Sequence, residues 1–355
     1  MSAAEKSPLS GDLDEILKNT PRLWDDLRGA RVFLTGGTGF FGIWLLESLL
    51  HADRKLGLGA QVVVLTRDEA AFRAKAPRLA GDRRVDFHRG DVRTFEFPPG
   101  GFTHVVHAAT EASVRLNQEQ PDLMHDVIVS GTRRTLEFAE QCGAKKFLLV
   151  SSGAVYGRQR PDVARVAEND PGLGAPLDPP SAYAEGKRAA ERLGAEAAGR
   201  GLDVTCARAF AFVGPHLPLQ SHFAVGQFLS DALRGGPIKV RGDGMPLRSY
   251  LYASDLAAWL WAILLKGRPG RAYNVGSEHA VSIADLAALV AAAAAPDAAI
   301  EMAKRPEPGR PPERYVPNTA RARTELGLGQ SVDLEEALRR TVAWERARAG
   351  GGEDA

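Results

Sequence analysis

The sequence predicts an α/β protein, a doubly wound parallel sheet with a smaller mixed lobe. Three observations predict it. Short runs of β-branched and apolar residues recur at 32–35, 62–66, 85–88, 104–107, 147–151 and 204–208. Stretches of helical period or charged composition separate most of them, giving a βαβα order through the first 210 residues, as expected of strands covered on both faces by helices. Past Arg208 the texture changes: glycines and prolines crowd between Gly214 and Pro246, around one helical segment at 223–233.

The first thirty residues stand apart. Residues 12–19 suit two helical turns stopped by Pro21, and Trp24 is a candidate anchor onto the body. The alternating strands and helices then run to residue 210. Helices are expected at 253–266 and 282–295, with 272–275 between them as a strand that returns to the sheet. A proline-rich stretch at 306–317 precedes a last helix at 334–346, and Gly350, Gly351 and Gly352 mark a disordered tail over 347–355.

With 355 residues, 44% hydrophobic and 25% charged, the chain can bury a sizeable core. Its 45 basic side chains against 44 acidic leave a formal charge of +1, without the basic excess of a nucleic-acid binder. Cys142 and Cys206 stand far apart with no metal-ligand spacing, so no metal is expected, and reduced thiols in the cytoplasm are. The longest apolar runs, 256–265 and 286–295, hold ten residues each, half of the about 20 needed to cross a bilayer. The N-terminus, with Glu5, Asp12 and Asp14 and no apolar block, does not read as a signal peptide.

Residues 35–42, Thr-Gly-Gly-Thr-Gly-Phe-Phe-Gly, lie between the first strand and an amphipathic helix. Gly36 can supply a tight turn, Gly39 lets backbone approach a pyrophosphate, and Gly42 allows close helix–strand packing. Phe40 and Phe41 open the helix whose free N–H groups and dipole hold the phosphates. The placement predicts NAD or NADP as cofactor. After the second strand a carboxylate would take the adenosine ribose 2′-OH; this chain has Thr66 and Arg67, with Asp68 beyond. Arg67 paired with a 2′-phosphate leans toward NADP. A solvated Arg67, with Asp68 reaching back, would mean NAD.

Tyr183 and Lys187 are four apart, on one helix face. The lysine charge can lower the phenol from its usual value near 10, making Tyr183 a base near neutral pH. Ser151 and Ser152 end a parallel strand upstream, where doubly wound sheets bind their ligands. Ser152 can hydrogen-bond the oxygen that Tyr183 deprotonates.

From residue 31 to 346 the chain resembles the extended short-chain dehydrogenases/reductases of the NAD-dependent epimerase/dehydratase family, which act on nucleotide sugars. Ordered motifs carry the resemblance: residues 35–42, Gly90-Asp91-Val92, His107-Ala108-Ala109, Ser-Ser-Gly-Ala-Val-Tyr-Gly at 151–157, Tyr183 with Lys187, Arg-Ser-Tyr-Leu-Tyr at 248–252, and Tyr273-Asn274-Val275-Gly276. The resemblance implies that Asp91 and Val92 border the adenine, that Ala108 and Ala109 pass the nicotinamide side, and that Lys187 also holds the nicotinamide ribose. It gives Arg248 the nucleotide diphosphate, a role suited to a planar fork. Thr110 and Arg310, the latter in a basic stretch with Arg305 and Arg314, join the expected substrate-binding residues. The implied organisation is an extension (1–30), a dinucleotide-binding Rossmann domain (31–210) and a substrate-binding lobe (211–346). A homodimer is implied too, through the Tyr183 helix and the helix at 121–142.

Departures from the family pattern narrow the chemistry. Relatives that dehydrate at C4 and C6 carry Asp-Glu directly after the catalytic Ser or Thr; here stand Gly153 and Ala154, which move no proton. UDP-glucuronate decarboxylases have a glutamate at the place of Ala154. Both reactions are disfavoured. The family asparagine of Asn-Val-x-Gly-Thr is Ile128, that of the loop after the sixth strand is Ala211 or Phe212, and the aromatic facing the base is Arg241, which can itself stack on a base. The expected function is a nucleotide-diphosphate-sugar 4-epimerase. The alternative is an NAD(P)H-dependent 4-keto reductase using the same residues. A non-catalytic NAD(P)-binding protein is the third reading, opposed by the complete set of Ser152, Tyr183 and Lys187.

Overall fold

The computed structural model describes residues 8–110, 114–172, 181–220 and 223–350. In chain order the elements are α1 (Ser10–Asn19), β1 (Arg31–Thr35), α2 (Phe40–Leu56), β2 (Gln61–Thr66), α3 (Glu69–Lys75), α4 (Pro77–Ala80), β3 (Val85–Arg89), β4 (His104–His107), α5 (Val114–Glu119), α6 (Pro121–Gln141), β5 (Lys146–Ser152), α7 (Ala182–Gly199) and β6 (Asp203–Ala209). The second part adds β7 (Phe212–Val213), α8 (Ala224–Leu233), β8 (Ile238–Val240), β9 (Leu247–Arg248), β10 (Leu251–Tyr252), α9 (Ala253–Lys266), β11 (Arg271–Val275), β12 (Val281–Ser282), α10 (Ile283–Ala294), β13 (Ile300–Met302), β14 (Arg314–Tyr315), α11 (Ala320–Leu326) and α12 (Leu334–Gly350).

Seven strands form one sheet in the order β11-β6-β5-β4-β1-β2-β3, every neighbouring pair parallel. The order reverses at β1, so the C-terminal ends of β1 and β4 flank the crevice where such sheets bind ligands. Most strands are apolar throughout because helices cover both faces: Val105, Val106, Phe147 and Leu148 are fully buried. β11 returns to the edge beside β6, the pairing expected of 272–275.

The βαβα order breaks once. No helix joins β3 to β4; the connection is coil that passes Pro98, Pro99, Gly100 and Gly101, residues that end helices. Rings do the covering instead. Phe95, Phe97 and Phe102 place their centroids 5.8, 5.3 and 5.3 Å from that of Phe138 on α6.

The extension docks as its pattern suggests. α1 buries Leu13 and Ile16, and Trp24 is 2% exposed, with its ring 5.7 Å from Trp261 of α9. Asp12 is buried and accepts hydrogen bonds from Tyr252 (2.8 Å) and Arg340 (2.6 Å), which ties the extension to both β10 and α12.

The smaller lobe has its own apolar cluster, in which Phe228, Leu229, Ile238, Leu286, Val290 and Leu338 meet. Beside it β9 pairs antiparallel with β12 and parallel with β14, setting Tyr315 opposite Arg248. β14 arises within the proline-rich stretch at 306–317. The last helix continues past 346 to Gly350, so 347–350 are helical rather than tail. Residues 351–355 lie outside the described residues.

Candidate active site

Gly36 turns the chain at φ +73°, and a Cβ there would stand 2.5 Å from the Ala108 carbonyl oxygen. Only glycine lets β1's loop lie against the end of β4. A Cβ on Gly42 would come within 2.3 Å of the Gly36 oxygen and of the Gly37 Cα. The tight approach at Gly42 is therefore between α2 and its own loop, not between helix and strand as expected. Gly39 caps α2, and a Cβ there would meet only the Gly36 oxygen, at 3.4 Å. That open face at a helix N-terminus suits a phosphate.

A hydrogen-bonded chain fixes the Ala108–Ala109 segment. The Ala109 N–H donates to Thr35 Oγ1 (3.1 Å), Thr35 meets His107 Nδ1 (3.0 Å), and His107 Nε2 meets Thr132 Oγ1 (3.1 Å). Thr132 spends its only proton on the Ile128 carbonyl (2.7 Å), so it accepts from His107 Nε2–H, and Nδ1 accepts from Thr35. Burial keeps the ring neutral by pushing its pKa down to about 3.

Beyond the end of β2, Arg67 and Arg89 are exposed and share one cleft with Arg73. Arg73 pairs with Glu69 at 2.7 Å; among the described residues neither Arg67 nor Arg89 forms an ion pair. Asp68 does not reach back: its carboxylate caps α3, accepting from Ala71 N at 2.9 Å. Asp91 is partly buried, and the hydrogen-bonded Arg93, 2.9 Å away, holds its carboxyl below the usual range. Val92 packs against Gly131 of α6, where a Cβ would come within 2.9 Å of it.

Tyr183 opens α7, with its N–H bonded to Asn117 Oδ1 at 3.0 Å. Lys187, one turn on, is buried and donates to Thr110 Oγ1 (2.9 Å) and the Val150 carbonyl (2.8 Å). Burial brings its pKa down to about 8. Two expectations are corrected here. Thr110 faces Lys187 rather than standing free for substrate. Tyr183 is raised, not lowered, because burial outweighs the Ser152 hydrogen bond that lowers it. The Lys187 ammonium, drawn toward Thr110 and Val150, lies 5.8 Å from the Tyr183 ring centre.

Behind this pair Glu191 accepts from Ser151 Oγ (2.6 Å) and Arg208 (2.7 Å), and Arg208 donates to Tyr156 Oη (2.8 Å), which donates to Asn274 (2.7 Å). The motifs at 151–157 and 273–276 thus form one buried frame that fixes the end of β5. Ser152 Oγ accepts from Ala154 N at 3.2 Å.

The floor beside Ser152 belongs to residues the sequence did not single out. A Cβ on Gly153 would stand 2.7 Å from Tyr315 Oη and 2.8 Å from the Phe210 ring, and those two rings pack with centroids 4.7 Å apart. The space where an acidic side chain would begin is occupied by aromatic rings. Ile128 packs on Gly186 of α7, with 3.1 Å between its Cδ1 and a Cβ placed there. Phe212, expected at the substrate, is buried in β7 and meets Phe41 edge-on at 5.1 Å; it supports the start of α2, since pairing with β10 turns it inward. Arg248 is half-buried beside Tyr315, donates to its neighbour Leu247's carbonyl (2.9 Å) and pairs loosely with Glu313 (3.5 Å). Arg241 is exposed. Arg310 is exposed too and pairs with Glu307 at 3.3 Å, a local contact that does not bring it to the Ser152 group. Among the described residues no cluster suits a metal ion, and no helix is long and apolar enough to cross a membrane.

Residues 32–276 match the model of the NAD dependent epimerase/dehydratase family. Among curated relatives, UDP-glucuronic acid decarboxylase 1 of Arabidopsis thaliana is 30% identical over 88% of this chain and 69% of its own length. A dTDP-glucose 4,6-dehydratase of Streptomyces griseus is 29% identical over 88% of this chain and 93% of its own. Among solved structures, the dTDP-glucose 4,6-dehydratase of Streptomyces venezuelae with NAD bound superposes with a TM-score of 0.75 at 26% identity, over 90% of this chain and 98% of that one. A UDP-glucose 4-epimerase of Thermotoga maritima gives 0.75 at 24% identity, over 90% and 99%, a likeness of fold.

Proposed function

The chain belongs to the NAD dependent epimerase/dehydratase family, and on that premise we propose that it is a nucleotide-diphosphate-sugar 4-epimerase, for which a nicotinamide, when bound, would supply the acceptor and then the donor of the C4 hydride, so that the sugar is reduced again on its other face. The observation that carries this reading is the filled space beside Ser152. Tyr183 and Ser152 can handle a proton at one sugar oxygen, but Gly153 and Ala154 offer no second acid–base pair, and Tyr315 and Phe210 leave no room for one. Chemistry confined to C4 is what remains for such a centre.

The residues fit a dinucleotide. The open backbone at Gly39 would take the pyrophosphate, and the Ala108–Ala109 segment borders the same crevice. Lys187, already a double donor, would hold ribose hydroxyls. Tyr183 takes the C4 hydroxyl proton while Ser152 donates to the same oxygen; both act in reverse when the turned 4-keto sugar is reduced. Arg248 would grip the diphosphate. Burial and two protein partners keep the Lys187 ammonium away from solvent. That arrangement suits a cycle in which Tyr183 returns the proton it took.

Mixing the protein with UDP- and dTDP-hexoses should invert C4, seen by NMR, without net consumption of reduced cofactor. Stoichiometric cofactor oxidation with a 4-keto sugar would instead establish the reductase. One observation favours that second reading. The cleft holding Arg67 and Arg89 suits the 2′-phosphate of NADP, and so does the engagement of Asp68 as a helix cap. Arg67→Ala is expected to weaken NADP about tenfold, near the low end for a hydrogen bond to a charged group, and to leave NAD almost unchanged. Titrating both cofactors into both proteins checks it; equal losses would make Arg67 an ordinary surface charge.

Gly153→Asp tests the filled space. The added side chain must displace Tyr315 or Phe210, so overpacking should cost about 1–3 kcal/mol in chemical denaturation. No 4-keto-6-deoxy product should form. A stable variant that produces it would refute the steric argument.

A further inference from the structure

Ser152 Oγ has one proton to give and two lone pairs to accept with. Ala154 N–H fills one acceptor position at 3.2 Å. The candidate for the other is Tyr315, a residue that no motif points to. Three observations fix where its hydroxyl sits. β14 runs parallel to β9 with Tyr315 opposite Arg248. The ring packs on Phe210, centroids 4.7 Å apart and planes at 38°. The bare backbone of Gly153 leaves the opening into which the hydroxyl points, 2.7 Å from where a Cβ would be. The phenol thereby stands beside the residue that follows Ser152, close enough for the serine side chain to act on it.

We propose that Tyr315 is a positioning residue: its O–H donates to Ser152 Oγ, fills the second acceptor position, and so directs the serine's single proton at Tyr183 and, with substrate bound, at the sugar oxygen between them. Without that donor Ser152 can rotate and spend its proton elsewhere. Tyr315 suits the task because burial holds its phenol well above the ordinary value, so it keeps its proton near neutral pH and can donate it to a hydrogen bond. The hydrogen bond from Ser152 in turn acts to lower Tyr183. The inference rests on reading Ser152 and Tyr183 as the reaction centre, and it gives Gly153 a purpose beyond the loss of an acid.

Tyr315→Phe removes the hydroxyl and keeps the ring on Phe210, so thermal unfolding and the cofactor dissociation constant should match wild type. With the nucleotide sugar that the enzyme turns over, kcat should fall about tenfold, the worth of one hydrogen bond near 1.4 kcal/mol, and KM should move less than about twofold. In a Ser152→Ala background the same change should cost less than about twofold, because the acceptor is gone. A second readout needs no turnover. The alkaline ultraviolet titration of Tyr183, isolated by subtracting the matching Tyr183→Phe protein, should move upward in Tyr315→Phe, since Ser152 no longer supports the phenolate. An unmoved titration, or equal losses of kcat in both backgrounds, would overturn the proposal. A moved titration in a protein that turns over no nucleotide sugar would uphold the hydrogen-bond chain and sink the epimerase reading instead.

Discussion

Tyr183→Phe is expected to bind cofactor within about twofold of wild type yet lose at least about a hundredfold in kcat, the low end for a positioned acid–base group. The ring packs against the apolar cluster that includes Met124 and Ile128 of α6, and phenylalanine preserves that contact. In the proposed mechanism, what disappears is the hydroxyl that exchanges a proton with the sugar C4 oxygen. Because burial holds the Tyr183 phenol above its usual value, wild-type kcat should climb as pH rises toward the alkaline side. The residual rate of the variant should lack that climb. Steady-state kinetics on the C4 inversion, with cofactor titrations alongside, make the comparison. Activity within threefold of wild type would remove Tyr183 from the mechanism.

The second large effect is on stability. Trp24 is buried at 2% exposure, donates from Nε1 to Thr20 Oγ1 at 2.9 Å and tilts against Trp261 at 5.7 Å. Trp24→Ala should cost about 3–5 kcal/mol, the range for deleting a large buried aromatic. The loss reaches past the extension, since Asp12 links α1 to Tyr252 and Arg340. Urea unfolding should show a lower midpoint with an unchanged slope. Turnover of the folded variant should stay near wild type, because the contact lies away from the Ser152 group. A loss below about 1 kcal/mol would show that the extension only rests on the surface.

What the sequence made legible is what local pattern controls. The strand runs and the glycines at 36, 39 and 42 announce themselves within a few residues of chain. So does the four-residue step from Tyr183 to Lys187. The electrostatic roles were harder, because they depend on partners far along the chain. Lys187's relation to Tyr183 follows from Thr110 and Val150, 77 and 37 residues away, which draw the ammonium aside. Phe212 reads as a loop residue until its pairing with β10 turns it into the core. Tyr315 sits in a stretch rich in Pro, Glu and Arg, where nothing marks the strand that β9 induces. Its partner Gly153 reads as the absence of an acid, and only the geometry shows what fills the space.

In the proposed cycle hydride leaves C4 and returns to C4 within one turnover. A nucleotide sugar deuterated at C4 tests it directly. After incubation with the protein, NMR and mass spectrometry of the C4-inverted product report where the deuterium is. The deuterium should stay at C4 of the inverted sugar, with none in solvent and none in free reduced cofactor. Deuterium passing into a pool of free cofactor, or lost to water during inversion, would contradict it.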